Sequence, residues 1–413
     1  MTMAEPIITT PQPAAPKPFR RRVFYIPGYD PIHPRRYREL YRREGADQAR
    51  ISGYTITLSP KTTKGPYGWH VAGQIDGTKA EADIEVLVWS DIVRASMKQG
   101  ILATYLQLLR TAWTYIASGA LVRLMRLRKG PMIAALYPIG MLLLQLAIAC
   151  LIGWGLYLLG AAIHPAIGLF LALPAIWQIL QTFRRQDNRL FAYYLMHDFA
   201  HAAQQHGAYP PELESRLTTF RQTIATAVTA DFDEVLIVGH SSGAHLAVSI
   251  LADLIREGLP NTRPALGLLS LGQVVPMISF LPDARRLRAD LHYLAAREQL
   301  TWIDVTAPGD GCAFALCDPV AVTGVAPHDQ RWPLVISAAF TRTLSPARWK
   351  QLRWRFFRLH FQYLSAFDAL SGGPDDYDYF RITAGSLTLA ERYATRSPSK
   401  SRITKPASGY RSR

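Results

Sequence analysis

Residues 233–245 read DEVLIVGHSSGAH, and the fold of this stretch decides how the rest of the chain is read. The run from Val235 to Val238 is short, apolar and β-branched, the composition of a buried strand. After Gly243 the chain continues AHLAVSILADLIREG, in which Leu246, Ile250, Leu251 and Leu254 recur at helical spacing up to Gly258. Gly239, His240, Ser241, Ser242 and Gly243 therefore occupy a strand-to-helix turn. A glycine at each end tolerates close backbone approach on either side of the two serines. A glycine-rich turn binding phosphate at a helix N-terminus is one reading, but the lysine of a P-loop is missing.

On both sides, strand and helix patterns alternate. Upstream, Arg22 to Ile26 is a strand closed by the turn-rich ProGlyTyrAspPro, and a helical run covers Arg35 to Ala49. Further strands are expected at Ser52 to Leu58, Trp69 to Ile75 and Ile84 to Trp89. Downstream come apolar runs at Leu266 to Leu271, Leu300 to Val305 and Leu334 to Phe340, with a helix at Asp283 to Arg297. This alternation argues an α/β fold with a mostly parallel sheet flanked by helices.

Between Lys129 and Arg184 the chain has no Asp, Glu, Lys or Arg. The run divides near Gly160 to Pro165 into two segments of about 20 residues or more, each enough to cross about 30 Å of hydrocarbon. Arg123, Arg126, Arg128 and Lys129 precede it, and Arg184, Arg185 and Arg189 follow. That pattern predicts a two-helix membrane insertion with both ends on the cytoplasmic side of the inner membrane. A helical hairpin buried in a large soluble domain is one alternative, and a re-entrant hairpin, compatible with Pro138, Pro165 and Pro174, is another. An amphipathic helix from Tyr105 to Arg128 leads into it, and helical patterns with a ProPro break at Pro210 and Pro211 connect it to the strand at Asp233. The resulting division is a disordered leader over 1–20, two halves of the α/β domain over 21–100 and 190–395, the insertion over 101–189, and a disordered basic tail over 396–413.

The 413 residues carry 46 Lys and Arg against 31 Asp and Glu, a net charge of +15. Part of the excess lies in the Ser-rich tail from Arg392 to Arg413, where attraction to anionic lipid is the expected role. No aromatic-interleaved basic stripe or reader motif accompanies the charge, so nucleic acid is not an expected partner. The three cysteines, Cys150, Cys312 and Cys317, form no CxxC pair and fit a reducing compartment.

The GlyXxxSerXxxGly pattern at Gly239 to Gly243, between a strand and a helix, resembles the nucleophile elbow of the α/β-hydrolase superfamily, in particular bacterial lipase-like and esterase-like members with an inserted membrane segment. The likeness extends from Arg20 to about Thr395 outside the insertion, and only the elbow is specific. It implies a nucleophile, acid, histidine order: Ser241, then an acid just past a strand end, then a histidine after the last strand. Asp310 satisfies the second place better than Asp304 or Asp318, and His360 satisfies the third better than His328. The resemblance also implies an oxyanion hole from the backbone N–H of Ser242 and of a residue in the first strand's loop, assigned to Tyr29 with Gly28 giving room. The implied activity is that of an esterase or lipase acting on acyl esters or thioesters without a cofactor. A non-catalytic membrane scaffold of the same fold is the alternative. A second motif, His197, Asp198 and His201 with His206 nearby, has the i, i+4 spacing of a zinc site, but a shortened base and no clear third ligand argue against metal.

Overall fold

The computed structural model describes residues 17–260, 264–373 and 376–410. Eight strands form one sheet: β1 (Phe19–Ile26), β2 (Thr55–Pro60), β3 (Gly68–Ile75), β4 (Thr78–Val86), β5 (Glu234–His240), β6 (Ala265–Leu271), β7 (Thr301–Thr306) and β8 (Leu334–Ser337). Their order is β2-β3-β4-β1-β5-β6-β7-β8. The β2-β3-β4 pairs are antiparallel and the rest parallel, so the sheet is mostly parallel, as the alternating pattern predicts. Apolar clusters cover both faces, which is why β5 to β7 read as continuous apolar runs rather than alternating ones.

β1 starts at Phe19, three residues before the Arg22 start expected from the sequence, and two of its arginines are paired inside. Arg21 donates to Glu234 at 2.5 Å and to the carbonyls of Gly385 and Leu387, and Arg22 pairs with Asp83 and Glu85. The sheet thus begins within the stretch assigned to a 1–20 leader; residues 1–16 of that leader lie outside the described residues.

Helices α1 (Arg35–Ser52) and α2 (Ser90–Met97) precede a helical block made of α3 (Ile101–Ala117), α4 (Ala120–Leu124), α5 (Lys129–Ala161), α6 (Pro165–Arg185), the single turn α7 (Asp187–Leu190) and α8 (Ala192–Ala203). α9 (Pro211–Val228) returns the chain to β5, and α10 (Gly243–Arg256), almost wholly buried, follows it. The continuous helix expected from Tyr105 to Arg128 is broken: Gly119 takes a left-handed φ of +69° and separates α3 from α4. α5 and α6 are long and apolar enough to cross a membrane, with mean hydropathy 2.2 and 1.6 and only 22% and 17% of their most apolar stretches buried. At 33 and 21 residues they are about 50 and 32 Å long. They meet closely through small residues: a Cβ on Gly160 would lie 2.7 Å from Gly168.

The tail expected to be disordered is docked. Asp318 N–H donates to Ile403 O, Ile403 N–H to Leu316 O, and Ala407 and Ser408 N–H to Val322 O. Arg288 lies 4.0 Å over the Tyr410 ring. Backbone pairing, to which the charge pattern is blind, overrides the tail's polar composition; residues 411–413 lie outside the described residues.

Candidate functional site

β5 ends at His240 and the chain turns sharply into α10. Ser241, at the turn, has φ +56°, a left-handed conformation that a residue with a Cβ adopts at a cost of about 1–2 kcal/mol. The flanking glycines are required sterically. A Cβ on Gly243 would sit 2.1 Å from Ile26 O, and one on Gly239 would sit 2.7 Å from the Ala244 Cα.

Asp310 lies in the loop after β7, in a turn where its N–H bonds Ala307 O. Its Oδ2 accepts from His360 Nδ1 at 2.7 Å and from the Tyr363 hydroxyl at 3.0 Å, and its Oδ1 from Cys312 N–H at 2.9 Å. Burial works to raise the Asp310 pKa, but the His360 charge and these hydrogen bonds outweigh it and hold the carboxyl below its ordinary value. An ionised Asp310 fixes the proton on Nδ1, so Nε2 is left as the basic nitrogen. That Nε2 is buried without a hydrogen-bond partner.

His360 ends a short helix, Phe356–His360, and its carbonyl accepts from His240 Nε2 at 3.0 Å. The two imidazoles lie 4.8 Å apart. Burial, then the His360 charge, pushes His240 down to about 3, so it stays neutral. His240, the residue just before Ser241, thereby ties the turn to the helix that carries His360.

Ser241, His240 and His360 line one cavity of about 270 Å³ together with Gly28, Tyr29 and Asp198. No hydrogen bond joins the Ser241 hydroxyl to Nε2, so Asp310 and His360 are paired while the serine shares only the cavity with them. Catalytic hydrogen bonds in resting sites are often longer than in the reacting complex. A Cβ on Gly28 would lie 3.3 Å from Ser241 Oγ, which places the loop after β1 against the serine. The Tyr29 carbonyl accepts from the Tyr194 hydroxyl and its own hydroxyl bonds Ser96. Neither Tyr29 N–H nor Ser242 N–H has an acceptor among the described residues, so both are free to bind a developing oxyanion.

The remaining wall is apolar and comes from the helical block, including Ile116 of α3, Met132, Leu136 and Ile139 of α5, and Phe199 of α8. One carboxyl interrupts it. Asp198 is pushed up to about 7 by burial, with the His360 charge opposing the shift.

The other sequence candidates fall elsewhere. Asp304 is buried in β7 and bonds Ser270, Asp318 caps a helix at Val320 and Ala321, and His328 lies outside the cavity lining. His197 bonds Gln107, while His201 stacks near Tyr29 and Trp89, so the zinc-like pair is divided between two contacts. Among the described residues, Asp310, Cys312 and His360 are the group whose ligand atoms lie within 4.8 Å of one another. There the carboxylate already holds the imidazole, and burial pushes the Cys312 thiol well up, away from the thiolate a metal needs. Sequence reading missed Tyr363, although its i+3 position after His360 places both on one face; nothing local marked His240 or Asp198 as facing the same cavity.

Compared with known proteins, the chain finds no counterpart: no family model, no curated protein and no solved structure matches it.

Proposed function

We propose that the protein is a membrane-anchored serine hydrolase of α/β-hydrolase type, cleaving carboxylic esters, with lipid esters or thioesters as the natural class. The observation that carries this reading is the cavity: a strained serine and a carboxylate-held histidine line one end, and the first turns of an apolar hairpin line the other. His360 Nε2 takes the Ser241 proton as Oγ attacks the acyl carbon, and Tyr29 and Ser242 N–H bind the oxyanion. The C–O or C–S bond then breaks, His360 returns the proton to the leaving group, and the acyl group stays on Ser241. A water molecule, deprotonated by the same nitrogen, attacks the acyl-enzyme; the acyl–Oγ bond breaks, His360 returns that proton to Ser241 Oγ, and the acid is released. Asp310 stabilises the imidazolium throughout and never takes the proton.

α5 and α6 anchor this reading in the membrane, and the basic residues on both flanks favour cytoplasmic ends. The missing Ser241–His360 hydrogen bond favours a second reading, a scaffold without chemistry. A fluorophosphonate probe separates the two: an enzyme labels at Ser241 and loses labelling in Ser241→Ala, whereas a scaffold does not label.

A further inference from the structure

α3 carries apolar side chains on two faces. Its buried face mixes Ile101, Leu108 and Tyr115 with Thr104, Thr111 and Thr114, while Leu102, Leu106, Leu109, Trp113 and Ile116, spaced 4-3-4-3, are each 57–71% exposed. In water the hydrophobic effect places the apolar stripe inward. Here the threonines turn inward and satisfy themselves locally, Thr104 donating to Gly100 O and Thr114 to Arg110 O. Arg110 is the one charged residue of the helix, and its guanidinium donates to Gln204 O.

The stripe continues into the apolar surface of the hairpin. The Tyr105 hydroxyl donates to Leu142 O of α5 at 2.9 Å, and Ile101 packs with Ala149 of α5 and Leu180 of α6. α3 packs chiefly on α8, with Leu108 beside Met196 and Ala200, and touches α5 near Leu142 and Ala149; the first half of α5 exposes Ile133, Leu136, Leu143 and Leu144. Ile116 and Leu136 are both exposed and both line the serine cavity, so the cavity has apolar outer residues on each of these two helices.

We propose that α3 is a third membrane-immersed element, lying beside α5 with its Leu102–Ile116 stripe in acyl chains, so that the serine cavity meets lipid between Ile116 and Leu136. The proposal rests on the hairpin's being membrane-embedded and adds a helix whose 17 residues and half-polar inner face would not mark it as spanning. Lipid is the occupant because the stripe continues a surface that already needs lipid, and because five large exposed apolar side chains on one helix face are favourable against acyl chains and not against water.

Nitroxide labels test it. They are placed through Leu109→Cys, Trp113→Cys and, as a hairpin reference, Leu151→Cys, in the full chain with Cys150, Cys312 and Cys317 replaced by alanine. The protein is reconstituted in phosphatidylethanolamine and phosphatidylglycerol nanodiscs, and collision with oxygen is compared with collision with a water-soluble nickel chelate. Oxygen should dominate at all three positions. Nickel access at 109 and 113 with oxygen dominating at 151 overturns the proposal and leaves the hairpin standing. Nickel access at 151 overturns the membrane reading as well. Spin–spin broadening at 109 and 113 without lipid access assigns the face to a second copy of the chain and likewise overturns it.

Discussion

Asp310→Asn tests the candidate mechanism most directly, because its cost follows from three hydrogen bonds. The carboxylate accepts from His360 Nδ1, Tyr363 and Cys312 N–H at 2.7, 3.0 and 2.9 Å. An amide offers one oxygen and one NH2 in their place. With the oxygen toward His360 and Tyr363, the NH2 opposes Cys312 N–H, donor against donor. With the amide flipped, the NH2 faces Nδ1, which must then give up its proton, and Nε2 becomes a donor unable to accept from Ser241. The imidazolium also loses its counter-charge in a buried site. Together these should lower the acylation rate by about 10³–10⁴, or roughly 4–5.5 kcal/mol of transition-state stabilisation. The second-order rate of fluorophosphonate labelling reads this directly, with thermal unfolding confirming that the variant folds. A folded variant that labels within about tenfold of the wild-type rate would mean that His360 does not depend on Asp310, and the mechanism would be wrong.

Three further outcomes rest on the same geometry. Gly28→Ala puts a methyl 2.8 Å from Ser241 Cβ, and the displaced serine should label about 10²-fold more slowly, with melting little changed. Glu234→Gln leaves the 1%-exposed Arg21 guanidinium without its counter-charge and should cost about 3–5 kcal/mol in chemical denaturation, and Arg21→Met with Glu234→Leu should recover only part of it, because the Gly385 and Leu387 carbonyls and the Leu389 N–H then lose their partners. Asp198 stays protonated in the fold up to about 7, so between about pH 4 and 7 the native state binds a proton that the unfolded chain has released, and this group's contribution to stability falls as pH rises. Asp198→Asn should therefore match the wild type near pH 4 and exceed its stability near pH 8 by about 2 kcal/mol, roughly half of what a three-unit shift implies, because the carboxyl faces a cavity rather than packed protein. Equal stability at both pH values would refute that account.

The elbow was legible because its signal is local: an apolar β-branched run, two glycines and a helical period lie within one stretch. Asp310 and His360 were reachable only through chain order, since their pairing depends on the loop after β7 meeting a helix after β8. The two buried arginines of β1 escaped because a charge reads as an exposed or terminal residue until its partners are known, and these stand at Glu234, Asp83 and Glu85. The docking of the tail was hidden for the related reason that composition does not report backbone pairing with residues 316–322. The outward stripe of α3 has the same period as a buried one. Amphipathicity gives the period of a helix but not the solvent its apolar side will meet.

The placement of the helical block also bears on how the sheet is assembled. β1 pairs with β4 on one side and β5 on the other, yet the block and α9 lie between Val86 and Glu234, and the Arg21–Glu234 contact joins residues 213 apart. Closure of so long a loop is costly only logarithmically, about 0.6 kcal/mol for each doubling. The block also ties its own ends together: Arg184 donates to Gln99 O at 2.7 Å, across the mouth of the insertion. Once α3 to α6 have formed their own contacts, β5 reaches β1 through a connection whose effective length is that of the few elements outside the block. The insertion thus brings its own closure, and the central strand pair need not wait on a search through the whole intervening chain.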